Sequence, residues 1–367
     1  MLASRLLALV TFVSISIGAA RAEDVPDDLT PTTTLVVKAK GKGKVSVRGI
    51  GWQKVAALDE PLSWPPSASG VEGVLVRVDL GKDDFYETYL ELGDGSYVLQ
   101  VPEVRGGALL QGKTKIPLSR GVPLVSFAKD KRWDFRVAKS PDGMPIYGPR
   151  YVGPGMKGTR IEQVILHASL TKTAREGFDE MVKRSLSVHL YIERDGTLIQ
   201  ALDFDECGYH AGERNQRGIG IDLVGELPNL APRVPQIDLV DQPGWVDEME
   251  DPEAATQAPG DPNAGVTDPT LLLPMGPTTR INGAPVQSYG YSARAMRTLE
   301  ATLIALWRAY PTLGRQMATD LGVVADPAVP GVLAHWQTEA QRWDPGTGFD
   351  VARIARLARL VASLQAL

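Results

Sequence analysis

Apolar and polar residues alternate with a period of two through the first third of the chain. The runs TLVVKAK, KVSVRGI, GVLVRVDL and SYVLQV lie between Gly- and Pro-containing breaks, the texture of short β-strands. Val74, Val76 and Val78 alternate with Leu75 and Arg77, as on a strand with at least one buried face. The pattern predicts an all-β region over 34–139, and no histidine falls in it.

The pattern then changes. SPDGMPIYGPRYVGPGMKG, 140–158, is dense in Gly and Pro and predicts a linker. RIEQVILH reads as a buried strand ending at His167. TAREGFDEMVKRSL, 173–186, places Phe178, Met181 and Val182 at helical spacing. SVHLYIERDGTLIQAL predicts a hairpin turning at Arg194-Asp195-Gly196, where Asp-Gly is a turn signal. GIGIDLVG is a further strand. Residues 228–280, rich in Pro and acid with poor periodicity, predict a surface insertion. A helix over 291–311 has Ser292 as N-cap, Met296, Leu299, Leu303, Leu306, Trp307 and Tyr310 on one face, and Pro311 as its stop. The last segment puts Val351, Ile354, Leu357 and Val361 on one stripe with arginines opposite, as in a packed terminal helix. The expected organisation is an N-terminal all-β accessory domain over 34–139 and an α/β domain over 159–367.

Composition narrows the picture. The chain has 367 residues, 43% hydrophobic and 23% charged, an ordinary globular balance with room for two domains. A net charge of −5 supplies no overall field toward nucleic acid or anionic lipid. The N-terminus carries Arg5, an apolar run from Leu6 to Ile17, and Ala20-Arg21-Ala22. This is the pattern of a cleaved signal peptide over 1–22, followed by a flexible lead-in over 23–33. The apolar run is short for a bilayer span of about 20 residues, so export without stable membrane insertion is expected, to the periplasm or the cell exterior. Cys207 is the single cysteine. It excludes an internal disulfide and reads as a small buried residue. The alternative, a nucleophile with His210 as its base, lacks an evident orienting partner.

The candidate chemistry rests on the four histidines and two aspartates. His167 ends a strand, and His335 precedes Asp344 in AHWQTEAQRWDPG. Two histidines and a carboxylate form a ligand set suited to catalytic zinc, although such spacing also occurs in hydrogen-bonded structure. Asp222 stands among apolar neighbours in GIGIDLVG, where a carboxylate must either be held or have work to do.

Taken in order, VILHAS, SVHLYIERDGTLIQ, YHAG, GIGIDLVG and AH…RWDPGTGFD resemble the zinc-dependent N-acetylmuramoyl-L-alanine amidases. Their fold is shared with phage lysozyme-type amidases and peptidoglycan recognition proteins. The resemblance covers roughly residues 160–355 and uses all four histidines. It implies a mixed central sheet flanked by helices, with one zinc ion held by His167, His335 and Asp344. It further implies Asp222 as the group that takes the proton of the attacking water, one methylene shorter than the family's glutamate. Arg342 stands where a lysine commonly binds the oxyanion, and Ala334 where a glycine is common. Some relatives use a tyrosine just before the hairpin histidine; here that position is Val188. His189 is implied near the site behind the ligands, and His210 along the cleft against substrate; either could equally be an interior histidine. The reaction implied is hydrolysis of the amide joining the lactyl group of N-acetylmuramic acid to L-alanine of the stem peptide. The alternative is a non-catalytic module of the same fold that binds peptidoglycan or muropeptides.

Overall fold

A computed structural model describes residues 33–64, 73–81, 83–92, 95–150, 160–225, 262–324 and 326–364. The expected signal peptide, all but the last residue of the lead-in, and residues 228–261 of the expected insertion lie outside the described residues.

The N-terminal region is strand-rich, as its alternation predicts. Strands β1 (Thr33–Lys38), β2 (Lys44–Gly49), β3 (Trp52–Ala57), β4 (Pro61–Trp64), β5 (Gly73–Gly81), β6 (Asp84–Glu91) and β7 (Ser96–Gln100) form two sheets, ordered β4-β1-β7 and β3-β2-β5-β6. Leu35, Val37, Val45, Val47, Val74, Val76 and Val78 share one core between them. A hairpin of β8 (Ala108–Gln111) and β9 (Thr114–Pro117) follows.

A six-stranded mixed sheet organises the rest. It contains β10 (Leu124–Ser126), β12 (Gln163–Ala168), β13 (Leu190–Ile192), β14 (Leu198–Gln200), β16 (Gly218–Leu223) and β19 (Gly331–Ala334), in the order β10-β14-β13-β16-β12-β19. Only the β13–β14 pair is antiparallel, turning at Gly196 with φ +87°. Outside this sheet, β11 (Tyr147–Pro149) pairs with β15 (Glu206–Gly208), and β17 (Thr279–Ile281) with β18 (Ala284–Val286).

Among the described residues, three α-helices cover the sheet. Thr173 caps α1 (Ala174–Lys183), Ser292 caps α2 (Ala293–Ala309) and Asp350 caps α3 (Val351–Ser363), each side chain accepting from a backbone N–H in the first turn. Helices α2 and α3 pack their apolar stripes on one sheet face, with Leu299, Leu303, Ile354 and Leu357 against Val164, Leu166, Ile219 and Ile221. Helix α1 packs Phe178 on the opposite face beside Tyr191.

The arginine-bearing outer side of α2 and α3 is covered by the N-terminal region. Leu75 of β5 and Tyr89 of β6 join the same core as the helices, so β5 is buried on both faces. One nitrogen of Arg308 meets both oxygens of Glu87 at 2.8 Å. Arg353 and Arg356 meet Glu91 at 2.7 and 2.5 Å. The layers therefore stack as sheet β4-β1-β7, sheet β3-β2-β5-β6, helices α2 and α3, the six-stranded sheet, then α1.

Two stretches differ in placement from the sequence pattern. Residues 124–139, expected with the β region, give β10 to the central sheet, and Phe135 stacks on Phe178 of α1 at 4.1 Å. The expected linker contributes Ile146, fully buried, and Arg150, only 7% exposed. Both find partners distant in sequence, which local Gly and Pro content does not encode. No helix among the described residues is long and apolar enough to cross a membrane.

Candidate metal centre

The period of two in the central strands assigns the site. In β12, Val164 and Leu166 face the helical core, while Ile165 and His167 face the other side. In β16, Ile219, Ile221 and Leu223 belong to that core, which leaves Gly218, Gly220 and Asp222 on the face with His167. The parallel register sets His167 beside Asp222 and Asp222 beside Tyr191. In β19, Val332 and Ala334 face the core, so the next residue, His335, emerges next to His167.

Beyond His335 a loop returns Asp344 to the same point, closed where Trp336 N–H donates to the Asp344 carbonyl at 3.1 Å. His167 Nδ1 lies 3.0 Å from His335 Nδ1 and 3.6 Å from Asp344 Oδ2, which is 3.0 Å from His335 Nδ1. Ligands about 2.0–2.1 Å from zinc at tetrahedral angles stand about 3.3–3.4 Å from one another. The three separations bracket that spacing. Among the described residues these three side chains form the one group able to hold a metal ion.

His210 stands behind the first ligand. Its Nδ1 is 3.0 Å from His167 Nε2, so a His167 with its lone pair on Nδ1 can give its Nε2 proton to His210, an outer contact that fixes the tautomer. Burial, with the neighbouring histidines and Arg150, holds His210 well below the usual imidazole range and therefore neutral. The ring lies flat against β16, and only glycine permits this at position 220. A Cβ there would come within 2.9 Å of three ring atoms.

His189 lies one layer deeper and is fully buried. Its Nδ1 accepts from Gly220 N–H at 3.1 Å, and its Nε2 is 2.8 Å from Arg150 Nη2. The Arg150 guanidinium also donates to the carbonyls of Phe204, Asn215, Gln216 and Gly218. Burial lowers it to about 10, still cationic at neutral pH. Nothing in its Gly- and Pro-rich surroundings marks this arginine in the sequence.

Asp222 is fully buried, and neither carboxylate oxygen has a hydrogen-bond partner. Burial pushes its pKa up to about 7, against the attraction of His167. Asp344 moves the other way. Burial would raise it, but His335 and His167 outweigh burial and hold it well below the usual carboxylate range. The two aspartates thus have opposite environments, one apolar and one beside two imidazoles.

Arg342 is not turned into this cluster. Its Nε pairs with Glu339 at 3.2 Å, and 30% of its side chain is exposed. Cys207 is buried in β15, and burial raises its thiol pKa, which disfavours the thiolate a nucleophile needs.

The family model of the N-acetylmuramoyl-L-alanine amidases matches residues 157–347. No curated protein matches the chain. Among solved structures, the chain is similar to a selenomethionine derivative of AmpD at 18% identity, over 62% of this chain and 97% of that one, with a TM-score of 0.31. It is also similar to AmpDh3 from Pseudomonas aeruginosa, in complex with anhydromuramic pentapeptide. That match has 12% identity, covers 56% of this chain and 63% of the other, and has a TM-score of 0.33. For the Drosophila peptidoglycan recognition protein SD the identity is 13%, over 63% and 93% of the two chains, with a TM-score of 0.33. With more than half of its length under the family model, this chain belongs to the N-acetylmuramoyl-L-alanine amidase family.

Proposed function

We propose that the chain is an exported zinc amidase that hydrolyses the bond between the lactyl group of N-acetylmuramic acid and L-alanine of the stem peptide. Family membership assigns it to peptidoglycan, as an amidase or as a binder. The observation that carries the enzymatic reading is the convergence of His167 Nδ1, His335 Nδ1 and Asp344 Oδ2 on one point. Those three side chains would hold a zinc ion, which would supply a Lewis acid for the amide carbonyl and lower the pKa of water to about 7.

The protein's own residues supply the rest. Asp222, beside His167 on the adjoining strand, takes a proton from the attacking water and returns it to the leaving amine of L-alanine. Burial makes this carboxylate a stronger base than an exposed one, in the direction such a group needs. His210 keeps His167 in the ligating tautomer. Arg342 is held by Glu339 through Nε and would have to turn toward the cluster to share the oxyanion. That contact is the observation favouring the second reading, a module that holds peptidoglycan without cutting it.

Export follows from the N-terminal pattern at 1–22, and peptidoglycan or muropeptides are the partners that location offers. The test is zinc content together with release of stem peptide from a muramoyl-peptide, on the wild-type chain and on His335→Ala. About one zinc per chain, matching a single three-ligand site, with peptide release lost in the variant, is the expected result. Zinc without peptide release would establish the binding module instead.

A further inference from the structure

The loop that carries two of the three proposed ligands is tied by a segment with no histidine or acid aimed at the site. Residues 275–291 run alongside 335–349. Gly290 bridges Gly348, and Ser288 N–H donates to Thr347 Oγ1 at 3.0 Å. The Tyr291 hydroxyl donates to the Pro345 carbonyl at 2.9 Å, one residue past Asp344. At the tip of the β17–β18 hairpin stands Asn282. Its amide nitrogen reaches the carbonyls of Trp336 at 2.9 Å, Glu339 at 3.2 Å and Arg342 at 2.9 Å. Two N–H bonds are thus shared among three carbonyls, all between His335 and Asp344.

We propose that Asn282 is a positioning residue of the metal centre: its amide gathers the 336–342 loop and so fixes the separation of His335 and Asp344. The inference rests on the metal reading of those residues.

A bland explanation exists for an asparagine here, and the geometry separates it from the proposed role. Asn282 and Gly283 have φ of +48° and +83°, and a two-residue hairpin turn of that kind favours Asn-Gly for its backbone alone. The turn explains the residue type. It does not explain why the amide converges with three carbonyls of a distant loop. Glycine also accepts positive φ, so Asn282→Gly keeps the turn and removes only the amide. Asn282→Asp keeps turn and shape but presents a carboxylate to three carbonyl oxygens.

The test is a zinc titration of the full metal-free chain against a chromophoric chelator, at a temperature where circular dichroism shows each variant folded. The visible spectrum of the cobalt-substituted protein is the second readout. Direct partners of metal ligands are worth about 10–100-fold in metal affinity. Asn282 acts through the loop between two ligands, so Asn282→Gly is expected to weaken zinc by about tenfold, the lower end of that range, and to alter the cobalt bands. Asn282→Asp is expected to do the same, and it decides the matter if the glycine variant does not fold. Zinc affinity within twofold of wild type, with an unchanged cobalt spectrum, would overturn the proposal whatever happens to thermal stability. A wild-type chain that binds no zinc would overturn the metal reading, and this inference with it.

Discussion

The two faces of the six-stranded sheet are built from alternate residues of the same strands and obey opposite rules. On the helical face, Val164, Leu166, Ile219, Ile221 and Leu223 are sealed into one core with α2 and α3. That core continues through Leu75 and Tyr89 into the N-terminal strands. On the other face the same strands present His167, Asp222 and two glycines, and several polar atoms there are buried without partners. These include both Asp222 oxygens, His210 Nε2 and His335 Nε2. Orphaned polar groups in an interior cost stability. The chain sustains them on one face while the other is packed throughout. The helical face keeps the strands in register, and the register keeps His167 and Asp222 side by side.

This contrast can be broken from the site side. Asp222→Asn is expected to lower peptide release by about 100- to 10,000-fold, the range for loss of a general acid–base group, while zinc stays bound. The same change is expected to raise the stability of the metal-free chain. Asp222 is raised from 3.8 to about 7 in the folded protein, so the folded state holds this proton more firmly than the unfolded one. Below about pH 4 both states are protonated and nothing is lost; between about 4 and 7 stability falls as the unfolded chain ionises; above 7 the full penalty remains. Buried His167, His189 and His210, whose pKa values are lowered, make stability rise with pH in the same window. Thermal melts of the metal-free proteins are therefore read as a difference: Asp222→Asn should gain on wild type between about pH 4 and 7 and keep that gain above 7. A variant that is no more stable at pH 8 than at pH 4, relative to wild type, would mean that Asp222 is satisfied in solution.

From the packed side, Leu166→Ala removes a fully buried side chain adjacent to His167. It is expected to cost about 2–5 kcal/mol by denaturant unfolding, with the zinc affinity of the folded protein unchanged. A loss of zinc affinity larger than twofold would show that the faces are not separable. The smallest effect is expected farthest from the site. Glu87→Ala breaks the contact between the N-terminal sheet and Arg308. It should cost about 1.5–2 kcal/mol, the low end for a hydrogen bond between charged groups, because 26% of the Arg308 side chain is exposed and can rehydrate. Peptide release should be unaffected, which would mark the strand-rich region as a backing layer for the helices.

Much of this was legible in the chain because it is periodic or carried by a motif. The alternation in GVLVRVDL predicted a strand with a buried face. The structure adds that its second face is buried as well, since Leu75 meets helices whose arrival nothing in that strand announces. Ser292, the α2 stripe and the Asp-Gly turn at 195–196 stand where their local chemistry put them. The order of the histidine motifs identified the family before any geometry was known.

The sequence by itself determined which residues form strands and helices, which face each side chain takes, and which residue types were available for a metal. Side-chain direction follows from dihedral periodicity within a few residues. Tertiary structure alone decided which of them meet. His167 and His335 are 168 positions apart and converge because β12 and β19 are neighbours in the sheet. Arg150 under His189, Asn282 in the ligand loop and Glu87 against Arg308 are single polar residues with no period to reveal them. A hydrogen bond or ion pair needs its partner within about 3 Å, and for these residues that distance was closed by the fold.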